Sequence, residues 1–531
     1  MSAVESRGER ATLRTASRPV DLAGSEASSP SIGTSNGELS HEIGGDGPRP
    51  LGLISALCTT LRDEDVLYCH WKSNEALDRS ATGENDLDLL VGRRDARRFQ
   101  EILYRFGFRP AVARPVDQLP GIFHAYGLDQ ESGKLVHVHA HFQLVLGDDM
   151  TKNFHLPIEE PYLGSSFQGP LFRTPSADFE FAVFVIRMIL KHATWDAILM
   201  LQGSLSSSEQ REYVDLSDRS DAQAVRRLVA EHLPVIDEDL WELCVSAARP
   251  GSSAWIRMRV ARRLQRRLRA HSRRPLSADT GLRVWRRVKR LIARYVVPRR
   301  PRRKRLEGGG AVVAIVGGDG AGKSTAVAEL QGWLSRSFVT TQAHLGKPPR
   351  SMISVVARGA WGIVRWIRRA EEPAAGSGGR TEGHRPAARL VWDLLTARDR
   401  YRLYRRIRRL SSNGGIVICD RYPLPQVRLM DGAGREPVGS GEGGRAARFL
   451  VARERRYYRQ ILYPDILLVL RVDPDIAVSR KLSEEGEEFV RPRSEEIWRA
   501  DWSGTPAIIV DAGRPKAEVL REIRSVVWSR L

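Results

Sequence analysis

The stretch Ala311–Thr325 reads AVVAIVGGDGAGKST, and it decides the fold of the C-terminal part of the chain. Its apolar first half has the pattern of a buried strand, and its second half matches the spacing G-x-x-x-x-G-K-[ST]. Glycines at these positions let backbone N–H groups turn inward around a polyphosphate, while Lys323 supplies a positive charge and Ser324 a hydroxyl for Mg²⁺. Apolar residues at helical spacing follow up to Leu334. The sequence therefore predicts a phosphate-binding loop between a strand and a helix.

Short apolar runs alternate with helical stretches on both sides of this loop. The runs are Val312–Val316, Ile416–Cys419, Ile466–Val472 and Ile508–Val510. Such alternation predicts an α/β fold with a doubly wound parallel sheet, and ligands are expected at the carboxyl ends of its strands. Two segments rich in Gly, Pro and charge, Glu371–Arg385 and Asp431–Arg445, interrupt the pattern and are interpreted as loops or lids.

A second polar motif, Asp420-Arg421-Tyr422, follows the run Ile416–Cys419. A carboxylate at the end of a strand beside a phosphate-binding loop is suited to hold Mg²⁺ or its waters, and a neighbouring guanidinium is suited to bind a phosphate. The motif therefore predicts that Ser324 and Asp420 hold a metal ion and that Arg421 binds a phosphate.

With these motifs, the sequence from about Val312 to Leu531 resembles the thymidylate kinase family of P-loop nucleoside monophosphate kinases. Four segments carry the resemblance, namely residues 317–325, Asp420-Arg421-Tyr422, the phrase YPDILLVLRVDP at residues 463–474 and the ending Val510–Gly513. The resemblance implies an ATP-dependent phosphotransferase that uses Mg²⁺ and phosphorylates a small acceptor.

The resemblance also implies roles for single residues. Lys323, Asp420 and Arg421 are the expected catalytic residues. Asp319 is expected to face the sugar of the acceptor, and Arg400 and Arg421 are expected to bind the acceptor side.

On the donor side, the family binds ATP through the loop and through the segment after the last strand, which borders the adenine. The residues expected to bind ATP are therefore Gly317, Gly318, Asp319, Gly320, Ala321, Gly322, Lys323, Ser324, Thr325, Asp511 and Ala512. The family's lid follows the Asp-Pro phrase. It is expected to bring Arg480, Arg491 and Arg493 to the migrating phosphoryl group, where they would neutralise charge.

Two stretches depart from the family pattern. Family members carry Arg-Glu-Pro-Gly after the second strand, where this chain reads HLGKPP at residues 344–349. The Ser-x-x-Ala-Tyr-Gln stretch that reads thymine is replaced by PLPQV at residues 423–427. The ATP side is therefore kept and the base-reading side is not. A nucleoside monophosphate and a sugar or glycan precursor are the acceptor classes that stay open.

The N-terminal part contains Asp86 and Asp88, two residues apart at the start of a strand predicted over Leu87–Val91. Side chains at this spacing point to one face, which is how nucleotidyltransferases hold paired Mg²⁺ ions. Together with CHWKSN at residues 69–74, this pattern resembles nucleotidyltransferase-like domains over Leu51–Gly147. The resemblance implies a small α/β domain in which Asp86 and Asp88 hold the metal.

The neighbouring strand that normally supplies a third carboxylate reads VHVHAH at residues 136–141. Its three histidines, His137, His139 and His141, alternate and are expected to face one side. Histidine is a poor ligand for Mg²⁺ and a good one for transition metals. A metal site, contact with the two aspartates and a polar face without a metal all stay open. The domain is thus a binding module with reduced catalysis, a transferase with altered ligands, or an enzyme for a sugar or nucleotide acceptor.

The net charge of +20 lies in one segment, because residues 251–305 hold 21 Lys and Arg against the single acid Asp279, and 21 − 1 = 20. Helices predicted over Trp255–Arg269 and Trp285–Arg294 interleave these cations with apolar residues. Such a stripe suits an anionic membrane surface and, less well, nucleic acid. The favoured interpretation is a helical connector whose apolar stripe packs on the domains while its arginines stay in water.

A length of 531 residues predicts two or three domains. We expect a disordered tail over residues 1–48, a nucleotidyltransferase-like domain over 49–170, a helical region with a basic linker over 171–306 and a P-loop domain over 307–531. No apolar run approaches the length of about 18 residues that a spanning helix needs, and the N-terminus lacks the order of a signal peptide, so we expect a cytoplasmic protein. The four scattered cysteines fit a reducing compartment and argue against a zinc cluster.

Overall fold

The structure is a computed structural model that describes residues 49–114, 118–192, 194, 204–296, 303–346, 348–349, 387–427, 444–481 and 486–531. The tail predicted at residues 1–48 and the lid segment Glu371–Arg385 lie outside the described residues. So do all but the last two residues of the lid segment Asp431–Arg445.

The N-terminal part is built on a mixed sheet that is covered by helices on one face. The strands are β1 (Tyr68–His70), β2 (Leu87–Val91), β3 (Arg109–Val112), β4 (Ile122–Leu128) and β5 (Leu135–His141), and the helices are α1 (Gly52–Asp63), α2 (Leu77–Ala81) and α3 (Ala96–Arg105). The strands lie in the order β1-β2-β5-β4-β3, with β2 and β5 parallel and the other neighbours antiparallel. Because side chains alternate along a strand, Leu87 and Leu89 of β2 pack in the core with α1 and α3, and Asp88 points to the opposite face.

Short elements connect this sheet to the helical region. They are β6 (Leu144–Leu146), β7 (Phe154–Leu156), α4 (Glu159–Gly164), β8 (Phe167–Gln168) and β9 (Arg173–Thr174), with 3₁₀ turns at Asn74–Ala76, Arg93–Asp95 and Leu268–His271. The strands β6 and β7 pair with each other, as do β8 and β9.

A central helix organises the next part of the chain. The helices are α5 (Ala177–His192), α6 (Ser207–Arg219), α7 (Ala222–His232), α8 (Glu238–Ala248), α9 (Ala254–Arg267) and α10 (Leu276–Val296). Nearly every residue of α5 between Phe179 and Leu190 is buried, and α6 to α9 pack around it. A helix that is apolar all round is expected to lie inside a bundle. The side chains of Ser206, Asp221 and Asp237 accept hydrogen bonds from N–H groups at the starts of α6, α7 and α8 and so fix where these helices begin.

The C-terminal part contains a parallel sheet with helices on both faces. Its elements are β11 (Val312–Gly317), α11 (Lys323–Leu334), β12 (Thr340–His344), α12 (Ala387–Ser412), β13 (Ile416–Asp420), α13 (Arg445–Arg459), β14 (Ile466–Arg471), α14 (Pro474–Lys481), α15 (Glu487–Arg499), β15 (Ala507–Asp511) and α16 (Lys516–Arg530). The strand order is β12-β13-β11-β14-β15, and each pair is parallel. Alternate residues of β11 enter two separate cores, with Val313 beside α11 and α16, and Val312 beside α12. The predicted α/β architecture with a parallel sheet is confirmed.

A short strand joins the N-terminal sheet to the C-terminal part. It is β10 (Arg305–Leu306), which pairs antiparallel with β3 and extends the N-terminal sheet. The backbone N–H of Leu306 also donates to the carbonyl of Gly414, just before β13. Two indole N–H groups add to the contact: Trp333 of α11 donates to Gly133 O at 3.1 Å and Trp528 of α16 donates to Gly107 O at 3.1 Å.

Two strands differ from the expectation drawn from sequence. Residues Arg305 and Leu306 end the stretch that was predicted as a helical region with a basic linker, yet they form the strand β10. The second strand of the parallel sheet, β12, was not predicted because its sequence TTQAH is polar. Thr341 and Gln342 of β12 are exposed, since this strand lies at the edge of the sheet.

The buried and exposed faces of the basic helix α10 are the reverse of the favoured interpretation. Its apolar residues Trp285, Val288 and Ile292 are exposed, while Arg283 and Arg287 are buried. Arg283 pairs with Asp279 at 2.9 Å and Arg287 pairs with Asp148. Within the described residues, none of the helices combines the length and the apolar character needed to cross a membrane. The cytoplasmic location and the domain boundaries remain predictions.

The close approach of Gly310 to Gly415 predicts that stability is sensitive to substitution at this position. A Cβ added at Gly310 would lie 1.8 Å from the carbonyl oxygen of Gly415, so the two backbones must separate. Gly310→Ala is therefore expected to lower the free energy of unfolding by about 3 kcal/mol or more. At the exposed Gly308 an added Cβ would have no atom within 4 Å, so Gly308→Ala is expected to change the free energy of unfolding by less than about 0.5 kcal/mol. Urea denaturation of the three proteins measures this, and equal midpoints would contradict it.

The central helix predicts a dependence of stability on pH. Burial raises the pKa of Glu180 on α5 to about 7, and the carboxylate of Glu212 adds to the rise. Between its ordinary pKa of about 4.5 and 7, the folded protein keeps a proton that the unfolded chain has lost, so stability falls as pH rises through this window. From pH 4.5 to pH 8 the wild type is expected to lose up to about 3 kcal/mol of its free energy of unfolding relative to Glu180→Gln, which cannot ionise at this position. Denaturation at both pH values measures the gain. The exposed Glu101→Gln serves as control, and an equal pH profile for Glu180→Gln would contradict the prediction.

Candidate functional site

The predicted loop lies between β11 and α11, as the sequence required. Gly320 and Gly322 have φ values of 82° and 81°, a region that favours glycine, and α11 begins directly after Gly322. The loop is also tightly enclosed. A Cβ at Gly320 would lie 2.5 Å from the carbonyl oxygen of Ala477 on α14, and one at Gly318 would lie 2.7 Å from Ser494 on α15. Glycine is therefore required here by conformation and by space.

Lys323 lies over this loop and closes it. Its ammonium donates to the carbonyl of Gly318 at 2.7 Å and pairs with the carboxylate of Asp319 at 3.3 Å. Burial lowers the pKa of Lys323, while the negative charges of Asp319 and Asp420 act in the opposite direction. The ammonium is thus held by two groups of the loop itself.

Asp319 ties the loop to α15. One carboxylate oxygen accepts from Arg493 at 2.7 Å, and the backbone carbonyl of Asp319 accepts from the Ser494 hydroxyl at 3.0 Å. Burial alone would raise the pKa of Asp319, but the Arg493 hydrogen bond and the Lys323 charge hold it below its usual value. Of the three arginines predicted for a lid, Arg493 is therefore the one that reaches the loop through a described ion pair.

Asp420 lies at the carboxyl end of β13, on the strand next to β11. It stands in register with Ile315 of β11 and with His344 of β12. One carboxylate oxygen lies 3.8 Å from Nδ1 of His344, and the other is buried without a hydrogen-bond partner among the described residues. The next residue, Arg421, has a φ of 54°, which is strained for a side chain other than glycine. Such strain at a strand end is typical of a functional position.

Arg400 is buried on α12 and holds the segment after β12. Its guanidinium donates to the carbonyl oxygens of Leu345 at 2.9 Å and Gly346 at 3.0 Å, and to the Tyr458 hydroxyl at 2.6 Å. In this structure it positions the chain beside Asp420. Direct binding of the acceptor by Arg400 stays a prediction.

The remaining predicted residues lie farther from the loop or make other contacts. Arg480 donates to the carbonyl of Ala512 at 3.0 Å and so joins α14 to the segment after β15. Asp511 ends β15 and accepts from the N–H of Gly513 at 2.8 Å. Arg491 pairs with two acids of its own surroundings, on α14 and α15. The structure thus brings Asp511, Ala512 and Arg480 together, and it gives Arg491 partners away from the loop.

The segment that replaces the thymine-reading stretch is part of the core. Leu424 and Val427 are buried, and so is Tyr422, whose hydroxyl donates to the carbonyl of Leu462 at 2.6 Å. Gln426 donates to the Tyr463 hydroxyl at 3.1 Å. This segment therefore packs on the protein, and its apolar side chains are not presented to a base.

The N-terminal sheet brings the predicted aspartates against the histidines. Asp86 lies 2.8 Å from Nδ1 of His137, and Asp88 lies 2.8 Å from Nδ1 of His139. Lys72 also pairs with Asp88 at 2.9 Å. The predicted contact between the histidines and the aspartates is therefore present. Metal binding by Asp86 and Asp88 together stays a prediction.

Two residues of this face were missed by sequence reasoning. His124 of β4 stacks on His139, with ring centroids 4.7 Å apart, and its Nδ1 lies 3.2 Å from His137. Lys152 lines a cavity of about 530 Å³ together with Lys72, Asp88 and other charged residues. The alternation His124-Ala125-Tyr126, which is typical of a strand, could have indicated the first. No sequence signal marks Lys152.

Comparisons with known proteins concern about two fifths of the chain. An uncharacterized ATP-binding protein, YghR, of Escherichia coli K12 is 26% identical over 229 residues, which cover 41% of this chain and 86% of that protein. A probable thymidylate kinase of Pyrobaculum calidifontis is 29% identical over 231 residues, covering 40% of this chain and 94% of that protein. No protein-family model matches.

Two solved structures are also similar to part of the chain. Thymidylate kinase from Candida albicans is 18% identical, with a TM-score of 0.24 and coverage of 41% of this chain and 91% of the other. Deoxyadenosine kinase from M. mycoides with bound dATP is 17% identical, with a TM-score of 0.23 and coverage of 40% and 97%. The parallel sheet and the glycine loop described above form an α/β P-loop fold, and the sequence of the chain is similar to an ATP-binding protein and to a probable thymidylate kinase over this share of its length. The resemblance to nucleotidyltransferases stays a prediction.

Proposed function

We propose that this chain is an ATP-dependent phosphotransferase of the nucleoside monophosphate kinase type. The single observation that carries the proposal is the strand pairing that sets Asp420, at the end of β13, beside β11, the strand that leads into the glycine loop and Lys323 at the start of α11. An ammonium, an unpaired carboxylate oxygen and a row of N–H groups are the parts that phosphoryl transfer from ATP requires. The relatives named as ATP-binding protein and probable thymidylate kinase support the same activity.

In this proposal the protein positions the reactants and balances their charge. The N–H groups of the loop and of the start of α11 hold the phosphates of ATP, and Lys323 exchanges its contacts with Gly318 and Asp319 for phosphate oxygens. Ser324 and Asp420 are suited to hold Mg²⁺, which would neutralise charge on the phosphates. The bond between the γ-phosphorus and the oxygen of ADP breaks, and a new bond forms to an acceptor oxygen. Arg493, once released from Asp319, is placed to offset the charge of the migrating group.

The acceptor is a small molecule that need not be thymidylate. Leu424 and Val427 are buried where the family reads thymine, so this chain lacks that route to base recognition. The alternative acceptor class, a sugar or glycan precursor on which the N-terminal unit would act as a nucleotidyltransferase-like partner, therefore stays open.

A second proposal concerns contact with an anionic membrane surface. Trp285, Val288 and Ile292 are exposed at a spacing that puts them on one face of α10. Lys289 and Arg290 are exposed beside them, and Lys289 lies 4.8 Å from the Trp285 ring centroid. An apolar stripe flanked by cations suits the boundary between headgroups and acyl chains. In this reading the chain is an ATP-binding protein that docks at the membrane. Nucleic acid is the less favoured partner.

The kinase proposal predicts the effect of removing the loop ammonium. Lys323→Ala is expected to slow phosphoryl transfer by about 10²- to 10³-fold, because a positioned charge is lost from the transferred group. Purified protein with labelled ATP and Mg²⁺ is offered a panel of nucleoside monophosphates and sugars, and labelled products are separated. Lys516→Ala, which removes an exposed lysine paired with Glu329, is the control and should keep full activity.

The panel of acceptors distinguishes the proposed functions from one another. Product from a monophosphate supports the first acceptor class, and product from a sugar supports the second. Calorimetric binding of MgATP without any product supports an ATP-binding docking protein. Absence of MgATP binding by the wild type would end the kinase proposal.

The membrane proposal predicts a loss of vesicle binding when the stripe is made polar. Trp285→Ser combined with Ile292→Ser is expected to reduce sedimentation with phosphatidylserine vesicles at least about threefold, since apolar insertion is lost. Binding by the wild type should fall at high salt and with neutral vesicles. Tyr104→Ser, at an exposed aromatic residue of α3, is the control. Equal sedimentation of the double variant and the wild type would contradict the proposal.

A further inference from the structure

Three side chains of the N-terminal sheet converge on one point. Asp88 of β2 and His139 and His141 of β5 each offer a ligand atom, and these atoms all lie within 4.8 Å of one another. The parallel register explains the convergence, because Asp88 stands opposite His139, and His141 is two residues farther along the same face of β5. Among the described residues, this is the group of histidines and acids whose geometry fits a metal ion.

His141 is an independent sign of a missing partner. Its side chain is fully buried, and neither ring nitrogen has a hydrogen-bond partner. Leaving a buried polar group unsatisfied costs about 1–3 kcal/mol, so native proteins seldom do so without a reason. The ring is held in place by an edge contact with Trp71, with centroids 4.9 Å apart, and by His139, with centroids 4.5 Å apart. A cation at the convergence point would satisfy one of these nitrogens.

The surroundings of the histidines also suit a metal. Nδ1 of His139 lies 2.8 Å from the Asp88 carboxylate, so these two side chains are already about as close as two ligands of one ion must be.

We propose that Asp88, His139 and His141 bind a divalent transition-metal ion of the Zn²⁺ type. Two imidazoles and one carboxylate match the ligands of such ions and are a poor match for Mg²⁺, which prefers oxygen. In tetrahedral coordination at about 2.0–2.1 Å the ligand atoms stand about 3.3 Å apart, so side-chain movements of about 1 Å close the site.

The ion takes over the role that Lys72 has in the structure. Lys72 pairs with Asp88 at 2.9 Å, and a bound cation replaces its ammonium as the counter-charge of this carboxylate. Three protein ligands leave a fourth position for water or a ligand. Asp88 lines the cavity of about 530 Å³ that also contains Lys72 and Lys152, so this position is expected to open toward a pocket with cations for an anionic ligand.

The test uses Co²⁺ as a spectroscopic substitute for Zn²⁺ on the full chain without nucleotide. After treatment with a chelator, titration of the wild type is expected to give visible d–d absorption that saturates at one ion per chain. An excess of Mg²⁺ should leave the absorption unchanged, and added Zn²⁺ should remove it. No saturable absorption in the wild type would overturn the proposal.

Variants locate the ion. His141→Phe keeps an aromatic ring against Trp71 and is expected to weaken Co²⁺ binding at least about 100-fold, because a direct ligand is lost. His139→Gln gives the same test at a partly accessible position, in case His141→Phe does not fold. His155→Gln, at a histidine that pairs with Glu159 outside the cluster, and Asp420→Asn, at the phosphate-binding loop, are controls expected to bind like the wild type. Wild-type affinity in His141→Phe or His139→Gln would show that the ion binds elsewhere and would overturn the proposal.

Discussion

The closeness of the phosphate-binding loop to α14 and α15 is the constraint around which the C-terminal site is arranged. Backbone atoms of Gly318 and Gly320 pass so near Ser494 and Ala477 that no side chain fits between them. The same contact lets Ser494 and Arg493 hold Asp319, which in turn holds Lys323. Helix α15, the loop and the ammonium are therefore connected through Asp319.

The two sheets treat buried charge differently. In the C-terminal sheet, Asp420 stands at the carboxyl edge, where one of its oxygens has no hydrogen-bond partner among the described residues. In the N-terminal sheet, Asp88, His139 and His141 stand on a face that is largely closed to water. Burial there keeps the imidazoles neutral, since an uncompensated buried charge is costly. The first arrangement suits exchange of a large anion, and the second suits tight retention of a small cation.

Local patterns predicted much of the fold, and contacts between distant segments account for what they missed. The runs at β2, β11, β13 and β14 were identified within a residue or two because buried strands are continuously or alternately apolar. The edge strand β12 is polar and carries no such signal. The buried face of α10 could not be predicted because Arg287 finds its partner at Asp148, 139 residues away.

In the candidate site, too, local motifs were predicted and contacts between distant segments were not. The glycine loop and Asp420 were predicted because their motifs are local, and the strand pairing brought them together. Abundant arginine gave no means of ranking Arg491 against Arg493, and the packing of α15 separates them. His124 belongs to the histidine cluster only through its pairing with β5. Arg400 was predicted to bind the acceptor, and the sequence gives no sign that its guanidinium donates to the carbonyl oxygens of Leu345 and Gly346.

The strand β10 bears on how the molecule can be divided. Although it has two residues, it completes the edge of the N-terminal sheet and holds the start of the C-terminal sheet, while Trp333 and Trp528 reach across with their indole N–H groups. A cut beside residue 306 would leave a bare strand edge on one fragment and two large aromatic rings facing water on the other. Both are surfaces through which proteins aggregate. The two parts are therefore not independent as folded units, because apolar side chains of both pack in one core.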